Sequence, residues 1–169
     1  GAYIAAIREA FEEVGVLLAD HAPDADLVAA RRHLLESPRA FPSIAEALDL
    51  RLRTDALVPL SRWVTPPTLD RRFDARFFAA LTPGHAEPTL VGEEVSAQAW
   101  HRPLDALGSM ARGELAMWLP TSTTLTQLLH ATSVDDIRSR LTPGALGQIE
   151  VEDLGGGIVR IGMPAGGGV

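Results

Sequence analysis

The opening helix constrains this chain more than any other feature. Across residues 2–18, Ile7, Ala10, Phe11 and Val14 recur at i, i+3, i+4 and i+7, and Gly15 is placed to end the run. The apolar side, Ile7, Phe11 and Val14, has to be buried, and a sheet is the expected partner. The opposite side carries Glu9, Glu12 and Glu13, which share one face at helical spacing. Like charges four residues apart cost about 0.2–0.5 kcal/mol even in water. A face this acidic is therefore either plain solvated surface or one whose repulsion a cation offsets. All-oxygen ligands suit Mg²⁺ or Mn²⁺, and such ions can bridge a diphosphate, neutralise its charge and activate water. Arg8 is positioned to pair with one of the glutamates and fix its rotamer.

The composition narrows the remaining classes. The 169 residues are enough for one domain with a real core, with or without a tail. No apolar run is long enough for a membrane span, and the first helix is too charged for a signal peptide, so a cytoplasmic protein is expected. A net charge of -7 argues against a nucleic-acid partner, whose phosphates need basic residues. A phosphorylated small molecule remains compatible if metal ions or local arginines supply positive charge. With no cysteine there are no disulfides, no thiolate chemistry and no Cys-bound zinc. All 15 basic residues are arginine. His21, His33, His85, His101 and His130 are isolated, with no pair at metal-ligand spacing. Ser109 lacks a nucleophile elbow, which removes a serine hydrolase.

Along the chain, residues 25–36 and 42–52 read as helices divided by Ser37-Pro38, and 57–64 and 73–81 as strands divided by a Pro66-Pro67 corner. Residues 82–85 are a turn. A strand is expected at 94–100, a helix from Pro103 to 112, one capped by Ser122 running to 130, and one capped by Ser133 over 134–141. Residues 148–154 and 158–163 read as a hairpin around three glycines, followed by a Gly-rich end. Trp63, Trp100 and Trp118 are expected in the core.

The string Arg8-Glu9-Ala10-Phe11-Glu12-Glu13-Val14-Gly15-Val16 matches the second half of the Nudix box, R-E-(apolar)-x-E-E-x-G-(apolar), at every fixed position. By this resemblance the chain is identified as a member of the Nudix hydrolases. The upstream glycine and glutamate of the box would fall before Gly1. The expectation is that an N-terminal segment with strands beside 57–64 or 73–81 is absent, or that an insertion interrupts the box. Residues 5–18, 63–67, 71–78 and 100–107, with Glu114 and Trp118-Leu119-Pro120, are similar to the branch containing the peroxisomal coenzyme A diphosphatase. In that branch the box commonly carries a long insertion. No peroxisomal signal ends the chain.

The resemblance implies an α/β Nudix fold, a mixed β-sheet sandwiched between helices with its N-terminal strands missing. It implies a Mg²⁺- or Mn²⁺-dependent pyrophosphatase cleaving coenzyme A or acyl-CoA into 3′-phospho-AMP and (acyl-)phosphopantetheine. Glu12 and Glu13 are then the main metal ligands, and Glu9 a further ligand or the water-activating base. Arg8 and Glu94 join the catalytic set, Glu94 because many Nudix enzymes carry another carboxylate at that spacing. Arg71, Arg72 and Phe73 are the expected substrate contacts, although a strand with one wet face explains them equally well. Residues 1–143 form the expected Nudix domain. The tail, 144–169, is either a hairpin on that domain or, by its likeness to metallo-β-lactamase-fold openings, the start of a second one. The partner implied is a nucleoside-diphosphate-type small molecule, with a homodimer left open. The competing readings are an ADP-ribose hydrolase, a nucleotide-binding module without turnover, and one part of a larger enzyme.

Overall fold

The computed structural model describes residues 1–21, 25–65, 72–82, 89 and 98–140, and the backbone of 148–155 and 158–162. It is an α/β structure in two compact units. The first comprises Gly1–Leu57 with Ala80–Ala99, the second Val58–Ala79 with Trp100–Val169. Among the described residues, no helix is long and apolar enough to cross a membrane.

In the first unit, α1 (Ala2–Val14) buries Ile7 and Phe11 completely or nearly so. It stops earlier than its apolar pattern suggests, because Gly15 turns left-handed (φ 74°) and its N–H closes back on the helix. Only glycine takes that conformation without a steric penalty. The next residues are extended: Leu17 and Leu18 are buried, and β1 (Ala19–Asp20) pairs antiparallel with β2 (Arg51–Leu52). Helix α2 (Leu27–Glu36) is capped by Asp26, whose carboxylate accepts the Ala29 N–H at 2.9 Å, and ends at extended Ser37 before Pro38. After one 3-10 turn (Pro38–Ala40), α3 (Phe41–Ala47) buries Phe41 and Ile44. The expected helix over 42–52 is thus split, its last residues supplying β2. Helix α1 packs on α2 and on the turn at Thr54–Ala56, and α2 on α3, around Ile7, Phe11, Leu34 and Phe41.

The second unit holds a mixed sheet of order β4-β3-β5-β6. Strand β3 (Val58–Val64) pairs antiparallel with β4 (Asp74–Ala79) and parallel with β5 (Gln148–Gly155), which turns antiparallel into β6 (Ile158–Gly162). The tail hairpin forms as its sequence indicates. On the edge away from β4, β5 pairs with β3 at residues 62–64, so an upstream strand has no place beside those three; among the described strands β4 has a single neighbour. Helices α5 (Leu119–Gln127) and α6 (Val134–Arg140) pack on β3, and α4 (Pro103–Ala111) on α5. A buried polar knot ties α5 to the sheet. Ser61 Oγ lies 3.0 Å from Thr124 Oγ1, Trp63 Nε1 donates to Ser61 Oγ at 3.2 Å, and Thr124 donates to the Pro120 carbonyl at 2.8 Å.

Several expectations are corrected here. Helix α5 begins at Leu119, because Pro120 fits a first helical turn, and Ser122 is an internal residue donating to the Leu119 carbonyl. Ser133 does cap α6. Trp63 is buried, but Trp100 and Trp118 are 77% and 85% exposed, so they are not core residues. The expected 94–100 strand, the Pro66-Pro67 corner and the turn over 82–85 lie wholly or largely outside the described residues.

Candidate active site

The acidic face of α1 falls on its last two turns. Arg8 reaches along the helix and holds two carboxylates where one was expected: Nη2 donates to Glu9 Oε1 at 2.9 Å, and Nη1 pairs with Glu12 Oε2 one turn on. Glu12 is mostly covered, its side chain 19% exposed against 57% for Glu9, and Glu13 is exposed. The helix thus sorts three equivalent-looking glutamates into different environments.

The backbone beneath them is fixed from the α2 side. Arg31, buried on α2, donates from Nε to the Glu12 carbonyl at 3.1 Å and from Nη2 to the Glu13 carbonyl at 2.9 Å. Its Nη1 donates to Thr89 Oγ1 at 2.7 Å, and the Thr89 N–H donates to the Val14 carbonyl at 2.9 Å. Burial lowers the pKa of Arg31 from the usual arginine value, yet a guanidinium keeps its proton in proteins. Beside this clamp a concavity of about 220 Å³ is lined by Phe11, Gly15, Leu27, Val28, Leu35 and Arg32, among others.

In the second unit, Arg72 and Phe73 lie just ahead of β4. Thr65 and Phe73 are joined twice, Thr65 N–H to the Phe73 carbonyl and Phe73 N–H to Thr65 Oγ1, each at 2.9 Å. Arg72 and Phe73 are exposed, with Arg72 Nε 3.4 Å from the Thr65 carbonyl. Arg76 is engaged with Asp74, which also takes two hydrogen bonds from Arg62 across the strand pair. Arg71 and Glu94 lie outside the described residues.

The donor chemistry of Glu9, Glu12 and Glu13 fits a hard divalent cation, since all are carboxylates on one helical face. Among the described residues no three acidic or histidine side chains are gathered as a ready-made cation site, and Arg8 occupies two of the three glutamates. A cation at this face would take its oxygens in competition with the guanidinium.

A model of the NUDT19 Nudix domain matches residues 2–128. This chain belongs to the Nudix hydrolase family. Among curated proteins it is similar to the human acyl-coenzyme A diphosphatase NUDT19, 33% identical over 136 residues, which cover 69% of this chain and 35% of that protein. It is also similar to nudix hydrolase 7 of Caenorhabditis elegans, 28% identical over 137 residues, 78% of this chain and 45% of that one. The chain therefore spans less than half the length of these relatives. A crystal structure of a Nudix hydrolase from Alicyclobacillus acidocaldarius is similar over 81% of this chain and 64% of that one, with a TM-score of 0.71 and 31% identity.

In this Nudix member the half-box read from the sequence maps onto one physical object, the end of α1. Its glycine is the C-cap, its variable position Phe11 is core beside the half-buried apolar position Ala10, and its arginine is the partner of two of its acids. Arg31 was missed by reading motifs alone. The signal was present, because half-buried Leu27 and buried Ala30 and Leu34 define the inward stripe of α2, and Arg31 lies in that stripe at i+4 from Leu27.

Proposed function

We propose that the chain carries the metal-holding helix of a Mg²⁺- or Mn²⁺-dependent pyrophosphatase that hydrolyses a diphosphate linkage, with coenzyme A or acyl-CoA as the substrate. The observation that carries this reading is the glutamate trio of the Nudix half-box at the end of α1, on a backbone held by Arg31. Glu12 and Glu13 are the main ligands in this proposal, and Glu9 a further ligand or the group that takes the proton from the attacking water. Bound there, a divalent ion supplies positive charge against the diphosphate oxygens and makes water more acidic. Arg8 keeps Glu9 and Glu12 in defined rotamers and would add a local positive charge beside a bound ion. Net hydrolysis adds water across one P–O–P bond and leaves two phosphate monoesters.

The choice of coenzyme A is supported by the NUDT19 family match and by the name of the human relative. In this reading Arg71, Arg72 and Phe73 contact the nucleotide end, where the 3′-phosphate calls for planar, bidentate donors. Glu94 is the additional carboxylate near the metals. Residues 1–143 carry the hydrolase part.

The deciding experiment is a Mg²⁺-dependent phosphate-release screen of the full-length protein against coenzyme A, acyl-CoAs, ADP-ribose and dinucleotide polyphosphates. Turnover of coenzyme A or acyl-CoA above the rest is expected. Preference for ADP-ribose would remove the coenzyme A assignment and leave the Nudix chemistry. Tight binding without turnover of any of them would make the chain a nucleotide-binding module.

A further inference from the structure

Arg31 is charged, only 6% exposed, and placed on the buried side of α2. A guanidinium is costly to bury unless its donors are used. Here they are spent on the end of another helix: Nε on the Glu12 carbonyl, Nη2 on the Glu13 carbonyl, Nη1 on Thr89 Oγ1. Thr89 returns its N–H to the Val14 carbonyl, and Gly15 N–H closes on that of Phe11 at 3.1 Å. All four carbonyls at the end of α1 are thereby satisfied, although these are the groups a helix leaves without intrahelical partners. Gly15 makes room for the clamp: a Cβ there would stand 2.8 Å from Arg31 Nη1 and 3.0 Å from Thr89 Oγ1.

We infer that Arg31 is a positioning residue for the Glu12–Glu13 carboxylate pair, acting through their two carbonyls. The inference rests on the reading of that pair as metal ligands. Helix ends fray at almost no free-energy cost. Two repelling carboxylates on a frayed turn would have to be ordered by the cation that binds them, and that ordering would be subtracted from its affinity. The planar fork fixes both adjacent peptide groups at once, and its charge suits the negative end of the helix dipole. Lysine at this position keeps the charge and loses the fork.

The experiment measures Mn²⁺ binding to the full-length protein by electron paramagnetic resonance, without substrate, alongside the melting temperature. Arg31→Lys is expected to weaken Mn²⁺ binding by roughly 10–100-fold, the usual range for losing a group that orients metal ligands. Thr89→Val keeps the N–H bonded to Val14 and removes the acceptor of Nη1, so it shifts Kd the same way by a smaller factor. Leu34→Ala opens the core of the same helix without touching the α1 carbonyls; it lowers the melting temperature and leaves Kd unchanged. If Arg31→Lys melts lower yet binds Mn²⁺ like wild type, Arg31 is merely structural and the inference is overturned. Should Arg31→Lys fail to fold, a wild-type Kd in Thr89→Val overturns it equally. Wild-type Mn²⁺ binding that survives both Glu12→Gln and Glu13→Gln would sink the metal reading itself, and this inference with it.

Discussion

Two glycines with the same backbone conformation isolate what lies above one of them. Gly15 and Gly113 both have φ of 74°. An alanine at either must enter the left-handed region, at a cost of roughly 1–2 kcal/mol. At Gly113 nothing lies within 4 Å of the added Cβ, so that cost is the whole effect. At Gly15 the Cβ would meet Arg31 Nη1 at 2.8 Å and Thr89 Oγ1 at 3.0 Å, so the guanidinium has to withdraw. Losing one of its hydrogen bonds adds about 1.5–3 kcal/mol, the value of a bond to a charged group. Gly15→Ala should therefore destabilise by about 2.5–5 kcal/mol and Gly113→Ala by about 1–2 kcal/mol. Trp63, Trp100 and Trp118 all lie in the second unit, so tryptophan fluorescence reports on Gly113→Ala. For Gly15→Ala the readout is the part of urea unfolding seen by far-ultraviolet circular dichroism and not by tryptophan fluorescence, because the first unit holds α1, α2 and α3 and no tryptophan. Equal losses at the two positions would mean that Arg31 does not stand over Gly15 in solution, and the clamp would go with it.

The other expectations are more direct. Glu12→Gln and Glu13→Gln should each lower kcat and kcat/KM together by tenfold or more, about 1.4 kcal/mol upward of lost transition-state stabilisation, with the circular dichroism spectrum unchanged; full activity at limiting Mg²⁺ refutes the ligand assignment. Arg71→Ala and Arg72→Ala should each reduce kcat/KM for coenzyme A by about 10–100-fold while sparing dephospho-CoA, and equal losses on both would place these arginines on the diphosphate or the fold. Ser61→Ala strips the acceptor from buried Trp63 Nε1 and should cost about 1–3 kcal/mol in urea unfolding; a neutral result would show that the knot does not hold α5. The Asp74 carboxyl is held below its usual pKa, chiefly by hydrogen bonds from Arg62 and also by the charges of Arg62 and Arg76. A depressed folded-state pKa gives stability that is complete above the ordinary carboxylate range and lost as pH falls through the lowered value. Asp74→Asn should accordingly flatten the acid side of the stability profile, and an unchanged profile would show the pair contributes nothing.

What the sequence disclosed depended on whether a single residue was enough to decide. Gly15 fixed the end of α1 because only glycine suits that turn, and Ser133 marked a cap by its own chemistry. The tail hairpin follows from apolar runs on either side of glycines, whereas the mixed sheet was legible only through the family resemblance. Ser122 misled because a hydroxyl can serve as a cap or sit inside a helix, and Pro120 had already opened the turn. Trp100 and Trp118 were assigned to the core by residue type, but burial depends on neighbours that type does not reveal. The glutamates were legible as a trio, not as individuals. Their separation into covered Glu12 and exposed Glu9 and Glu13 depends on where Arg8 points and on what packs beside the helix. The role of Arg31 needs a contact 19 residues back in the chain and another 58 residues ahead, beyond any local pattern.

The interleaving of the two units sets an order on synthesis. Each is assembled from two stretches of chain, and a piece of the second interrupts the first. A nascent chain can form α1, α2 and α3 early, but the Val14 carbonyl and Arg31 Nη1 wait for Thr89 to emerge from the ribosome. Strand β3 can take β4 almost at once, yet its other edge stays open until residues 148–150 arrive to pair in parallel. Between the synthesis of residue 64 and that of residue 148 this is an unprotected sheet edge, the kind of surface that pairs with other chains. Chaperone dependence and losses to aggregation during expression should therefore track the interval before β5 is made, so that chains stopped just short of residue 148 are less soluble than those that include the hairpin.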